Sequence, residues 1–210
     1  MRRPLAIAVL FAAVLLALST SQAGAGTTPV FVDDNFFNPP IQSLAEPGMV
    51  TWDWEEVENP HNVVARGNLF DSGKPGSRLL FELNLSAGTF PYLCEVHFFL
   101  NDMKGTIQVR PSWIAEPPGP ERSFRVAWAT PESTTGDEFD VRYRAPGERW
   151  KSWKSNTRAL QARFGARGKP VRVQRGKLYR FQVRSESSSN PRTDKSGFSP
   201  VLTVRGGQTP

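Results

Sequence analysis

Short β-rich runs set between turn residues constrain this chain more than any other feature. "TPVFVDDNFF", "GMVTWDW", "HNVVA", "SRLLFELNL", "TFPYLCEV" and "KGTIQVR" are separated by Gly, Pro, Asn and Asp, and no long helical periodicity interrupts them. After the proline-rich stretch 110–123 the pattern resumes in "SFRVAWAT", "EFDVRYRAPG", "RWKSWKS", "ALQARFG", "KPVRVQ", "KLYRFQVRSES" and "FSPVLTVR". Such spacing predicts an all-β chain of two consecutive sandwiches. In "FRVAW", Phe124, Val126 and Trp128 share one face. In "YRFQVRS", Tyr179, Phe181 and Val183 alternate with Arg180, Gln182 and Arg184. This is the pattern of half-buried antiparallel strands. The expected boundaries are a first module at 27–110, a proline-rich linker at 111–120 and a second module at 121–206.

The N-terminus fits neither module. Arg2 and Arg3 precede an apolar run from Leu5 to Leu18, followed by small residues around Ser21-Gln22-Ala23 and Ala23-Gly24-Ala25. Residues 1–25 therefore read as a secretory signal peptide. The run is shorter than the roughly 20 residues of a membrane span, and no later run is long enough to span. The expected location is periplasmic, cell-surface or extracellular. The paired arginines leave twin-arginine export open beside ordinary secretion. In an oxidising compartment a lone cysteine, here Cys94, is buried, paired with another chain or a metal ligand.

Charge divides where the strand pattern does. Residues 25–113 hold eleven acids and five Lys/Arg, whereas 114–210 hold nine acids and nineteen Lys/Arg. A change of sign this sharp argues for two distinct modules. The basic half shows no nucleic-acid motif, and its arginines fall on the solvent faces of alternating strands. With export expected, nucleic acid is excluded as a partner. An anionic surface polymer or a protein, the acidic first module included, is the expected contact of 121–206.

The scarce soft ligands are gathered together. "PYLCEVHFFLNDMKG" holds the only cysteine, Cys94, one of two histidines, His97, and one of three methionines, Met103; the other histidine, His61, lies in "ENPHNVV". A thiolate and two imidazoles with a weak thioether make an electron-transfer copper site, since the sulfur ligands favour Cu(I) and imidazole tolerates Cu(II). Zinc accepts Cys and His but prefers a fourth His, Cys or carboxylate. Glu95 and Asp102 are the carboxylates at hand, and Glu95, next to Cys94, should face away from it.

At these residues the first module resembles the plastocyanin-like cupredoxins, the small blue copper proteins. The matching stretches are "DNFFNPPI", "EPGMVTWDW", "NPHNVV", "AGTFPYLCEVH" and "MKGTIQV", within 29–110. The resemblance implies a cupredoxin Greek-key sandwich holding one type 1 copper, with His61, Cys94 and His97 equatorial and Met103 axial. It also implies that Asn62 ties the two ligand loops together, its backbone N–H bonding the cysteine sulfur. Two features depart from plastocyanins. Five residues rather than four separate His97 from Met103, so the loop is expected to bulge. Leu93, not tyrosine, precedes the cysteine, and the nearest tyrosine is Tyr92. Phe98, Phe99 and Leu100 fill the loop, either plugging the end of the sandwich or forming an apolar patch where a redox partner docks.

The second module resembles a fibronectin type III domain in Trp128, Tyr143, "WKSW", "GKLYRFQVRS" and "SGFSPVLTV". The resemblance implies that Trp128 fills the core and that Tyr179 bonds back to upstream backbone through its hydroxyl. The whole then reads as an electron carrier rather than an enzyme. Multicopper oxidases and nitrite reductases need further histidines, and this chain has two. The alternative is a copper-binding or storage protein, or an adhesion scaffold.

Overall fold

The computed structural model describes residues 28–54, 57–115, 123–165 and 171–207; the signal peptide expected at 1–25 lies outside them. The chain is all-β. The first sandwich contains β1 (Thr28–Asp33), β2 (Phe36–Asn38), β3 (Ile41–Leu44), β4 (Gly48–Asp53), β5 (Val64–Ala65), β6 (Leu80–Leu85), β7 (Gly88–Leu93) and β8 (Lys104–Val109). A single helical turn, α1 (Phe98–Asn101), stands between β7 and β8. The strands form two four-stranded sheets, β2-β1-β4-β6 and β3-β8-β7-β5. In each, one pair is parallel, β1 with β4 and β3 with β8. The sequence pattern singles out every one of these strands except β3, whose alternation is half-exposed and weak.

Between the sheets lie Val30, Val32, Phe37, Val50, Trp52, Leu85, Phe90, Tyr92 and Ile107, each 2% exposed or less. Burying each large side chain contributes about 1.5–3 kcal/mol. Their rings interlock edge to face, Tyr92 against Phe37 at 4.7 Å and against Trp52 at 5.6 Å. Gly105 is required here, because a side-chain carbon on it would lie 2.3 Å from the Tyr92 hydroxyl.

The second sandwich is built from β9 (Ser112–Ala115), β10 (Phe124–Ala127), β11 (Glu138–Arg144), β12 (Lys151–Thr157), β13 (Gln161–Phe164), β14 (Leu178–Glu186) and β15 (Leu202–Arg205). Its sheets run β13-β10-β9 and β12-β11-β14-β15. The predicted faces hold: Phe124, Val126 and Trp128 are buried, as are Tyr179, Phe181 and Val183. The Tyr179 hydroxyl accepts the Gln174 N–H at 2.9 Å, the upstream bond expected of it.

Two expectations need correction. Residues 112–115, read as part of a linker, form β9, which pairs antiparallel with β10 in the second sandwich. Ser112, Trp113 and Ile114 are a β-compatible run that the flanking prolines disguise; residues 116–122 lie outside the described residues. "KPVRVQ" was expected as a strand, yet its described part, 171–174, is not one. There the Gln174 N–H is taken by Tyr179, so it is not available to a sheet ladder.

The modules meet along a hydrogen-bonded seam. The turn joining β6 to β7 enters the second sandwich: Ser86 Oγ sits 2.6 Å from Ser185 Oγ and 2.8 Å from the Thr135 carbonyl oxygen, and the Ser86 N–H donates to Thr135 Oγ1 at 3.1 Å. The Ala87 N–H donates to the Trp128 carbonyl at 2.7 Å, and Ala87 itself is part of the second core. Beside it, Thr89 and Gly197 exchange backbone hydrogen bonds at 3.0 and 2.8 Å. Among the described residues, no helix is long and apolar enough to cross a membrane.

Candidate metal centre

Strand β7 runs from the seam to the opposite end of the first sandwich. Cys94 follows its last residue, roughly 20 Å from Gly88 at the rise of an extended strand. The chain then turns back through α1 into β8, with the Cys94 N–H donating to the Met103 carbonyl at 3.1 Å and the Phe98 N–H to the Cys94 carbonyl at 2.9 Å. His61 enters from the loop before β5, fixed by two backbone bonds with Gly76. Trp54 Nε1–H donates to the His61 carbonyl at 3.2 Å beneath it.

These elements bring together three ligand atoms separated by up to 36 positions. Cys94 Sγ lies 3.7 Å from His61 Nδ1 and 3.6 Å from His97 Nδ1, and the two nitrogens are 3.0 Å apart. Among the described residues this is the metal-competent cluster. His61 and Cys94 are fully buried, while His97 is 8% exposed and so is the ligand nearest solvent.

The donor set fits a metal on geometry. The centre of a triangle with these sides lies about 2.0 Å from every corner, near the 2.0–2.3 Å of metal–imidazole and metal–thiolate bonds. Unmetallated, the arrangement is unfavourable: it buries a thiol and two imidazole nitrogens against one another with few donors to share. Glu95 and Asp102, the carboxylates considered for zinc, stand outside the cluster. Glu95 is engaged by Asn62, and the exposed Asp102 pairs with Lys104 at 2.6 Å.

Met103 is 1% exposed and lies at the foot of the same loop. The extra residue before it does not make a bulge. It is wound into α1, which closes on Asp102 in the left-handed conformation (φ 55°). The Met103 N–H then returns to the His97 carbonyl at 3.5 Å. The Asn101 side chain fastens the turn to Asn35, in the β1–β2 turn.

Asn62 does join the two ligand loops, though through its side chain. Its Oδ1 accepts the Glu95 N–H at 3.0 Å and its Nδ2 donates to Glu95 Oε2 at 2.9 Å. Phe99 and Leu100 are 90% and 79% exposed, which removes the end-plug reading for them. Phe98 is half-buried, with the Arg66 guanidinium 5.5 Å from its ring centroid.

The sequence reading missed Asp34. Its Oδ1 lies 3.3 Å from His61 Nε2. The Asn59 N–H first, then the Glu58 N–H, the His61 ring and the Asn59 side chain hold this carboxyl down at about 2. Burial depresses the His61 imidazole below its ordinary range. The carboxylate therefore fixes His61 with Nε2 as the donor and Nδ1 bare toward Cys94. "DDNF" in a turn offered no signal for this role, because 27 residues separate the pair.

No family model matches the chain, and no curated protein matches it. Among solved structures it is similar to a purple cupredoxin from Nitrosopumilus maritimus, at 20% identity over 40% of this chain and 99% of that one, with a TM-score of 0.34. It is also similar to amicyanin from Paracoccus versutus, at 20% identity over 42% and 86%, TM-score 0.34. A Sinorhizobium pseudoazurin matches at 18% over 40% and 73%, TM-score 0.32.

Proposed function

We propose that this chain is an exported blue copper protein that passes single electrons between redox partners, with its second module serving for attachment. His61, Cys94 and His97 are the equatorial ligands and Met103 the axial one. The observation that carries the reading is the buried triangle of one thiolate sulfur and two Nδ1 atoms, its centre about 2.0 Å from each. Copper in such a donor set supplies reversible one-electron chemistry.

The chain's own residues supply the rest. Burial of the cluster excludes water, the Asp34 carboxylate orients His61, and Asn62 locks the two ligand loops at a fixed distance. A site held this rigidly changes little between oxidation states. Its least buried ligand, His97, adjoins the exposed apolar pair Phe99 and Leu100, which together make the face for a redox partner. We read the second module as a fibronectin type III domain, supported by its seven strands, buried Trp128 and the Tyr179 corner bond. Its attachment target is an anionic surface polymer, consistent with its surplus of Lys/Arg.

Adding Cu(II) to the purified protein and recording visible absorption and electron paramagnetic resonance tests the reading. One copper per chain with an intense thiolate-to-copper band is expected. A colourless Cu(II) complex would overturn it.

A further inference from the structure

The outward face of the sheet β12-β11-β14-β15 carries a ladder of stacked cations and rings. The Arg144 guanidinium lies 5.2 Å from the Trp150 ring centroid, and that of Arg142 lies 4.9 Å from the same ring. Arg142 also sits 3.7 Å from the Phe198 ring, with Arg184 5.2 Å from it. Three guanidinium groups thus alternate with two aromatic rings. Beside the ladder opens a cleft of about 210 Å³, lined by Arg142, Trp150, Ser152, Lys154, Phe198 and neighbouring residues.

Charge compensation along the ladder is uneven. Arg184 is neutralised twice, by Asp140 and by Glu186, each at 2.7 Å. Arg142 is held by a neutral group, donating from Nε at 3.2 Å and Nη2 at 2.7 Å to Gln182 Oε1. Gln182 is itself anchored to the Ser199 carbonyl at 2.7 Å. Among the described residues, neither Arg142, Arg144 nor Lys154 forms a salt bridge with a carboxylate. A guanidinium carries five N–H donors, so Arg142 keeps three after binding Gln182. Burial and the Arg184 charge both disfavour its protonated form. Stacked rings hold the guanidinium planes in place, so little freedom remains to be lost when an anion arrives.

We propose that this cleft is a binding site for the acidic sugar units of an anionic polysaccharide, with Arg142 and Arg144 receiving carboxylates, Lys154 adding charge and Ser152 available to sugar hydroxyls. The structure favours a polysaccharide over the other polyanions. An acidic peptide would add to a sheet edge, but β12 is a poor template: its register with β11 shifts twice, and Asn156 is left-handed (φ 50°). A nucleic acid would need open ring faces for its bases, and each of these rings already has two guanidinium groups against it. The proposal deepens the attachment reading and does not depend on the copper site.

The test is calorimetric titration of the full chain with polygalacturonate, alongside neutral dextran and poly-L-glutamate. Polygalacturonate should bind, dextran should not, and poly-L-glutamate should bind at least tenfold more weakly. Arg142→Gln should weaken polygalacturonate binding about tenfold. Arg163→Gln removes the same charge from β13 in the other sheet and should change it less than twofold. Because Arg142 is half-buried, the double variant Arg144→Gln with Lys154→Gln provides a second test, and thermal unfolding verifies that each variant is folded. Equal weakening by Arg142→Gln and Arg163→Gln, or no effect of the cleft variants, would show that binding follows overall charge and would overturn the site. Absence of polygalacturonate binding would overturn both the site and the attachment reading. Equal affinity for poly-L-glutamate would assign the cleft to acidic peptides instead.

Discussion

Asp34 Oδ1 lies 3.3 Å from His61 Nε2, so the most buried imidazole of the cluster is backed by a carboxylate. The negative charge stabilises the more positive state of anything bound at Nδ1. Asp34→Asn should therefore raise the copper reduction potential, by an amount on the order of tens of millivolts. The folded carboxyl is held at about 2, below its ordinary 3.8, so the charge persists above that and disappears only as pH falls through about 2. The offset between wild type and Asp34→Asn should accordingly stay constant from pH 4 to 8. Voltammetry of both proteins across that range checks it, and coincident potentials would remove Asp34 from any tuning role.

Cys94 Sγ is one corner of the donor triangle, and a hydroxyl is a poor substitute for a thiolate. Cys94→Ser should abolish the blue colour and weaken copper binding. A Cys94→Ser protein that stays blue contradicts the assignment.

Met103 is buried at the foot of the ligand loop. A weak axial thioether tunes the metal more than it holds it. Met103→Leu, nearly equal in volume, should keep the blue band, raise the potential and cost less than about 1.5 kcal/mol of stability. An unchanged spectrum and potential would place Met103 away from copper.

Phe99 is 90% exposed on α1. Phe99→Glu should leave the melting temperature and the copper spectrum unchanged, since almost no contact is lost. Electron exchange with a basic cytochrome should nonetheless slow, because a charge would interrupt the apolar face beside His97. Stopped-flow rates equal to wild type would exclude docking at this face.

The seam predicts cooperative unfolding. A side-chain carbon at Gly67 would lie 2.1 Å from the backbone oxygen of Lys195 across it, and backbone cannot rotate away. Gly67→Ala should destabilise the protein by about 1–3 kcal/mol and divide one calorimetric transition into two. A single, unshifted transition would show that the modules unfold independently of this contact.

The parts legible in the sequence are those with local signals. Alternation in "FRVAW" and "YRFQVRS" identifies the buried faces of β10 and β14, and the scarcity of Cys and His points to the cluster. What escaped depends on contacts between distant residues. Asp34 reaches His61 across 27 positions, and Ser86 meets Ser185 across 99, with nothing in either neighbourhood to announce it. The extra residue between His97 and Met103 was visible, but its absorption into a helical turn followed from the left-handed Asp102.

Strand β9 places the boundary between folding units somewhere other than where the prolines do. Ser112–Ala115 precedes the proline-rich segment in sequence yet supplies a third strand to the second sandwich, paired along β10 from Ala127 to Phe124. A fragment begun at residue 121 would leave that β10 edge bare, with its ladder groups open to any passing chain. A molecule nicked between 116 and 122 would behave differently, because its first piece would still lend β9 to its second. The two polypeptides would complement one another without a covalent bond, and the module defined by composition would be the one that aggregates.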